Sequence, residues 1–130
     1  MKIYISGSMK DQEHLRQEAH RLWFAGHEIT SSWLNETIEP IGIMWRGVAI
    51  TDIAEVYKAD CIIMDNNGAS STGGRYVEWG LALAPGANKI KILVAHDKPV
   101  KAFLTLADHI CVTWQDVHNL LESHYAVHKA

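Results

Sequence analysis

The sequence predicts a single α/β domain in which a mostly parallel sheet carries helices on both faces, a Rossmann-like (flavodoxin-like) arrangement. Three observations predict it. Strand-like apolar runs alternate with stretches of helical period along the chain. Two of those runs, residues 61–64 (CIIM) and 90–95 (IKILVA), are largely apolar, as strands covered on both faces are. A small-residue turn, Ser6-Gly7-Ser8, follows the first strand where a βα unit needs a tight exit. With 130 residues, 48% of them hydrophobic, and no linker-like tract, one domain spanning residues 1–130 is expected.

The elements follow in order. Residues 2–5 read as a short strand, and after the turn Leu15, Ala19, Leu22 and Trp23 fall on one face of a helix that Gly26 stops. A second strand is expected around residues 27–30. Residues 31–46 hold Trp33, Pro40, Gly42 and Trp45 without a clean period, so no element is assigned there. Ile50, Ile53, Ala54 and Tyr57 have helical spacing, with Asp52 at the start of that helix, and lead into the strand at 61–64. A polar loop, residues 65–73, precedes a helix carrying Glu78 that Gly86 ends. Strands at 90–95 and 110–112 and a closing helix at 115–125 complete the chain. Right-handed crossovers bring three loops to one sheet edge: residues 6–10, the one before the Asp52 helix, and residues 65–74.

Composition narrows the functional classes. The net charge of -3, with scattered basic residues, argues against nucleic-acid binding, which wants a clustered positive face. The first residues, MKIYISG, lack the long apolar stretch of a secretory signal, and no run of eighteen apolar residues occurs, so a cytoplasmic protein without a membrane span is expected. Cys61 and Cys111 each sit inside an apolar run and read as buried free thiols. The histidines form neither HExxH nor a Cys/His zinc spacing, and His124 with His128 reads as a solvated helix face, so no metal and no cofactor is expected. Trp23 and Trp114 are expected to fill the core, whereas Trp33, Trp45 and Tyr4 have the chemistry to sandwich a planar base.

The chemistry-bearing segment is SSTGGRYVEWGLAL, residues 70–83. A helix N-terminus offers unpaired N–H groups and a positive dipole end, so Ser70, Ser71, Thr72, Gly73 and Gly74 suit an anion beside Glu78. Glu78 then reads either as a partly desolvated nucleophile or base, or as an exposed acid capping the first turn. Asp52 reads either as a first-turn acid favoured by the helix dipole or as the second carboxylate of a cleft. Two carboxylates about 5 Å apart are what a retaining glycosidase uses. Ser6, Gly7, Ser8 and Met9 form a turn that lets a ligand approach backbone N–H groups, though it is neither a P-loop nor a GxGxxG fingerprint.

These segments, with IYISGSM, TDIAEVYKADCIIM, STGGRYVEWGLALA and the looser FLTLADHICVTW, resemble the nucleoside 2-deoxyribosyltransferase superfamily, which includes 2-deoxynucleoside 5-phosphate N-hydrolases and nucleotide N-glycosidases. The resemblance covers most of the chain. It implies that Glu78 attacks C1′ of the sugar and expels the base, that the acid matching Asp52 moves protons or positions the base, and that Tyr4 orients the nucleophile. Gly7 and Ser8 match part of the family's phosphate-binding loop. Thr72 stands where transferases tend to have an aspartate and nucleotide hydrolases a serine, which favours a nucleoside 5′-monophosphate. Lys10-Asp11 stands where the hydrolases often have an arginine and glycines. The resemblance further implies a homodimer or higher homo-oligomer. Base exchange between nucleosides uses the same residues, a non-catalytic nucleotide sensor uses the same loops, and a flavin protein of flavodoxin type is the more distant alternative.

Overall fold

The computed structural model describes residues 1–68 and 73–127. Five strands form one sheet in the order β2-β1-β3-β4-β5, and every neighbouring pair is parallel. The strands are β1 (Lys2–Ser6), β2 (Glu28–Ile29), β3 (Cys61–Asp65), β4 (Ile90–Val94) and β5 (His109–Cys111). Ile3 pairs with Ile29 on one side and Cys61 on the other, and Ile63 pairs with Ile92. The central strands are shielded on both faces: Ile3, Tyr4, Ile5, Ile62, Ile63, Met64, Ile92 and Leu93 are fully buried. Continuous apolar runs can form only such doubly covered strands, because alternation would leave half the side chains in water.

Four helices cover the sheet: α1 (Gln12–Phe24), α2 (Met44–Lys58), α3 (Gly74–Leu83) and α4 (Trp114–His124). α1 and α4 share one face, joined by Glu18 to His118 at 2.5 Å and Arg21 to Gln115 at 3.0 Å. α2 and α3 lie against each other on the opposite face. α4 starts as a capping box in which Thr113 and Asp116 satisfy each other's backbone N–H groups. Cys61 and Cys111 are buried free thiols, and burial pushes the Cys61 thiol up to about 12.

Three expectations change. α2 starts at Met44, so Asp52 lies in mid-helix, well past the first turn in which a carboxylate feels the dipole. Residues 31–46, to which no element is assigned from the sequence, hold the start of α2, and Gly47 is tolerated inside that helix at a cost of about 1 kcal/mol relative to Ala. Trp23 is 62% exposed and packs edge-on against Phe24 rather than filling the core. Trp114 is buried as expected, its indole N–H donating to Asp65 Oδ2 at 2.7 Å. The last strand falls at His109–Cys111, one residue early.

The strand order reverses direction at β1, whose two neighbours β2 and β3 follow it on opposite sides, and this opens a crevice at their C-terminal ends. Gly7 leaves β1 there under Leu15 and Asp65. A Cβ at Gly7 would come within 2.7 Å of Leu15 Cδ1, so a larger residue at that exit requires the buried Leu15 side chain to shift.

Candidate active site

The crevice is a cleft of about 480 Å³ lined by the end of β1, the start of α1, the segment before α2, α2 itself and the first turns of α3. Gly7, Ser8, Met9, Trp33, Trp45, Asp52, Gly74 and Glu78 all line it. Eight of the expected site residues therefore meet in one place, from four stretches distant in sequence. Gly73 precedes Gly74 as the N-cap of α3, with a left-handed φ of 71° that glycine adopts without strain. The expectations for Ser70, Ser71 and Thr72 lie outside the described residues.

Glu78 is in the second turn of α3, and its carboxylate turns inward to β1 instead of capping the helix. The Tyr4 hydroxyl donates to Oε2 and the Ser6 hydroxyl donates to Oε1 at 2.7 Å. Parallel β1 makes this possible: Tyr4 and Ser6 are two residues apart, so their side chains leave the same face of the strand. Both are fully buried. Tyr4 is thus unable to stack on a base, and Ser6, expected to touch substrate, supports the carboxylate from beneath.

The electrostatics separate the two acids. Burial drives the Glu78 carboxyl above its ordinary range, and the Tyr4 and Ser6 hydrogen bonds pull it back down. Among the described residues Asp52 has no such donors; burial first, then the charges of Glu78, Glu55 and Glu36, push it up to about 7. Burial and the Glu78 charge likewise hold the Tyr4 phenol far above its usual value, so it stays a donor. One carboxylate stabilised by hydroxyls beside another poised to hold a proton near neutrality is an arrangement suited to paired nucleophile and acid chemistry.

Two residues that line the cleft, Gln12 and Arg75, carried no signal in the sequence. Gln12, at the start of α1, donates its amide N–H groups to the carbonyls of Trp33 at 2.7 Å and Glu36 at 2.8 Å, hanging the segment before α2 across the cleft mouth. The Trp33 indole N–H donates to the Ile5 carbonyl at 2.7 Å, which fixes the ring as a wall. Trp45, 41% exposed on the first turn of α2, remains free to meet a ligand. Trp79, unassigned by its sequence context, is buried behind the site with its N–H on the Phe103 carbonyl at 3.0 Å. Arg75 is buried at the cleft wall although its position in an apolar helix suggests nothing special.

Among the described residues no group of three or more His, Cys, Asp or Glu side chains is placed to hold a metal ion, and no helix is long and apolar enough to cross a membrane.

No family model matches the sequence, and no curated protein does. The fold is similar to that of a 2-deoxyribosyltransferase from the psychrotolerant bacterium Bacillus psychrosaccharolyticus, with a TM-score of 0.73 and 20% identity over 92% of this chain and 91% of the other. It is also similar to the Clostridium botulinum CMP N-glycosidase BcmB, with a TM-score of 0.62 and 18% identity over 95% of this chain and 99% of the other. The chain therefore has the nucleoside 2-deoxyribosyltransferase-like fold over nearly its whole length.

Proposed function

We propose that this chain, built on the fold shared by a deoxyribosyltransferase and a nucleotide N-glycosidase, is an N-glycosidase that cleaves the base–sugar bond of a nucleoside 5′-monophosphate. The single observation that carries the reading is the Glu78 carboxylate, held by the Tyr4 and Ser6 hydroxyls in the same cleft as the raised carboxyl of Asp52. In this reading a Glu78 oxygen attacks C1′, the C1′–N bond breaks, and its electron pair leaves with the base, which takes a proton from Asp52. Water then attacks C1′ of the glycosyl ester, gives its proton to the Asp52 carboxylate, and frees the sugar phosphate and Glu78. Trp45 and Trp33 flank the base, while Gly7, Ser8, Met9 and Gly74, with the expected Ser70, Ser71, Thr72 and Gly73, take the phosphate end.

The test is base release from a panel of nucleoside monophosphates, with a 2-fluoro sugar analogue to trap Glu78 in a peptide identified by mass spectrometry. Release that survives Glu78→Gln, or no release from any nucleotide, refutes the reading; binding without turnover then favours a sensor. Base exchange is the second reading, supported by the apolar cover of Trp45, Val48 and Ile38 over the cleft, which limits water. A labelled second base incorporated without free sugar selects it.

Self-association belongs to the same proposal. Ile43, Met44, Ile50 and Tyr57 on and beside α2, and Val77 on α3, are more than half exposed. Apolar side chains gathered on the helices that border the cleft support a homodimer or higher homo-oligomer through this face. The free thiols of Cys61 and Cys111 support a reducing, cytoplasmic setting.

A further inference from the structure

Arg75 is the one strongly charged side chain of the cleft wall that is itself buried, at 4% exposure. Its guanidinium faces back along the β3–α3 connection. Nη1 donates to the carbonyls of Asp65 at 3.3 Å and Asn67 at 2.7 Å, and Nη2 donates to the carbonyl of Gly68 at 2.6 Å. Among the described residues no carboxylate pairs with it, and Nε is buried with no hydrogen-bond partner. Among the described residues the positive charge therefore meets carbonyl dipoles and the face of the Tyr76 ring, 5.2 Å from the guanidinium carbon, rather than a carboxylate, and one donor is left over. Both conditions are costly in isolation.

The surroundings give that charge a use. The cleft is lined by four acids, Glu36, Glu39, Asp52 and Glu78, against two cations, Lys10 and Arg75. A ligand carrying a phosphate of about two negative charges meets repulsion from four carboxylates unless a cation holds its far end. Lys10 is exposed and screened by water; Arg75 is buried and is not. Arg75 also lies one turn before Glu78 on α3, so its hydrogen bonds tie the 65–68 turn to the helix that carries Glu78.

The geometry points to Arg75 as a positioning residue that makes the cleft select a sugar 5′-phosphate over the bare sugar, by locking the 65–68 turn onto α3 and placing behind it a buried positive charge that no carboxylate among the described residues pairs. This deepens the nucleotide reading and rests on it for the identity of the anion.

The experiment measures binding of ribose 5-phosphate and of ribose by calorimetry to the native chain, to Arg75→Lys and to Arg75→Met. The native chain is expected to prefer the phosphate by at least about a hundredfold, Arg75→Met to lower that preference by at least about tenfold, and Arg75→Lys, which keeps the charge but loses the fork, to fall between. A preference unchanged within about twofold in Arg75→Met, or a native chain that does not discriminate the two ligands, overturns the proposal. Should Arg75→Met fail to fold by circular dichroism, the Arg75→Lys preference decides alone: a value equal to native overturns the proposal. Base-release assays on the same preparations keep the two claims apart. Phosphate selection through Arg75 without base release sinks the glycosidase reading only, and base release without such selection sinks this one only.

Discussion

Asp52→Asn tests the electrostatic reasoning most directly, because it removes a charge while keeping shape. Burial together with the charges of Glu78, Glu55 and Glu36 lifts this carboxyl from 3.8 to about 7. A rise of about three on the pH scale corresponds to a ceiling of about 4 kcal/mol. Asp52 is only partly buried, so screening reduces the expected effect to about 1–2 kcal/mol. The sign follows from proton uptake: with the folded value above the unfolded one, the stabilising contribution is complete below about pH 4 and is lost as pH rises through about 7. Urea denaturation of the native chain is therefore expected to show this loss between pH 4 and pH 8, and Asp52→Asn to flatten it and to be the more stable protein at pH 8. The same variant is expected to lose about 10²–10⁴-fold in kcat/KM for base release, since it cannot donate a proton. An Asn variant that is less stable than native at pH 8, or that keeps the native pH slope, would show that Asp52 does not carry a raised carboxyl and would remove it as the acid.

Three further outcomes are expected. Tyr4→Phe removes one of the two hydrogen bonds that lower the Glu78 carboxyl, so the acidic limb of the kcat/KM profile should move to higher pH and kcat should fall about 10–100-fold; an unmoved limb removes the hydroxyl from the account. Gln12→Ala frees the carbonyls of Trp33 and Glu36, so KM should rise several-fold with folding stability changed by about 1 kcal/mol, read from substrate titration and thermal melting. Ile50→Glu on the exposed face of α2 should leave the fold intact by circular dichroism and shift the chain to a monomer in light scattering; an unchanged mass locates the self-association surface elsewhere.

Much of the fold was legible because apolar runs report doubly covered strands. Residues 61–64 and 90–95 could only be central, and β3 and β4 are. The start of α2 was hidden since Gly42 and Gly47 mask a helix whose outer face carries Ile50, Ile53 and Tyr57 instead of burying them, leaving Val56 as its buried residue. Trp23 misled for a related reason: helical spacing identifies a face, but only the neighbouring elements decide how wide the covered stripe is. In the site, Glu78 and Asp52 were visible in the sequence as acids in helices, each readable equally as a cap or first-turn acid, and only the fold brings both to the cleft. Gln12 and Arg75 carried no signal, and Ser6 was expected to touch substrate rather than Glu78, because these roles come from contacts to residues 21, 10 or fewer, and 72 positions away, across the cleft cover, the β3–α3 turn and β1. Sequence periodicity carries no trace of such partners.

The cleft cover is suspended by Gln12 from main-chain oxygens of Trp33 and Glu36. Carbonyl groups are common to every amino acid, so the side chains along that strap can drift through evolution while its suspension stays the same. In the proposed reading, a lineage of this fold retunes which nucleobase it admits by rewriting the strap alone, leaving Glu78 and Asp52 below untouched.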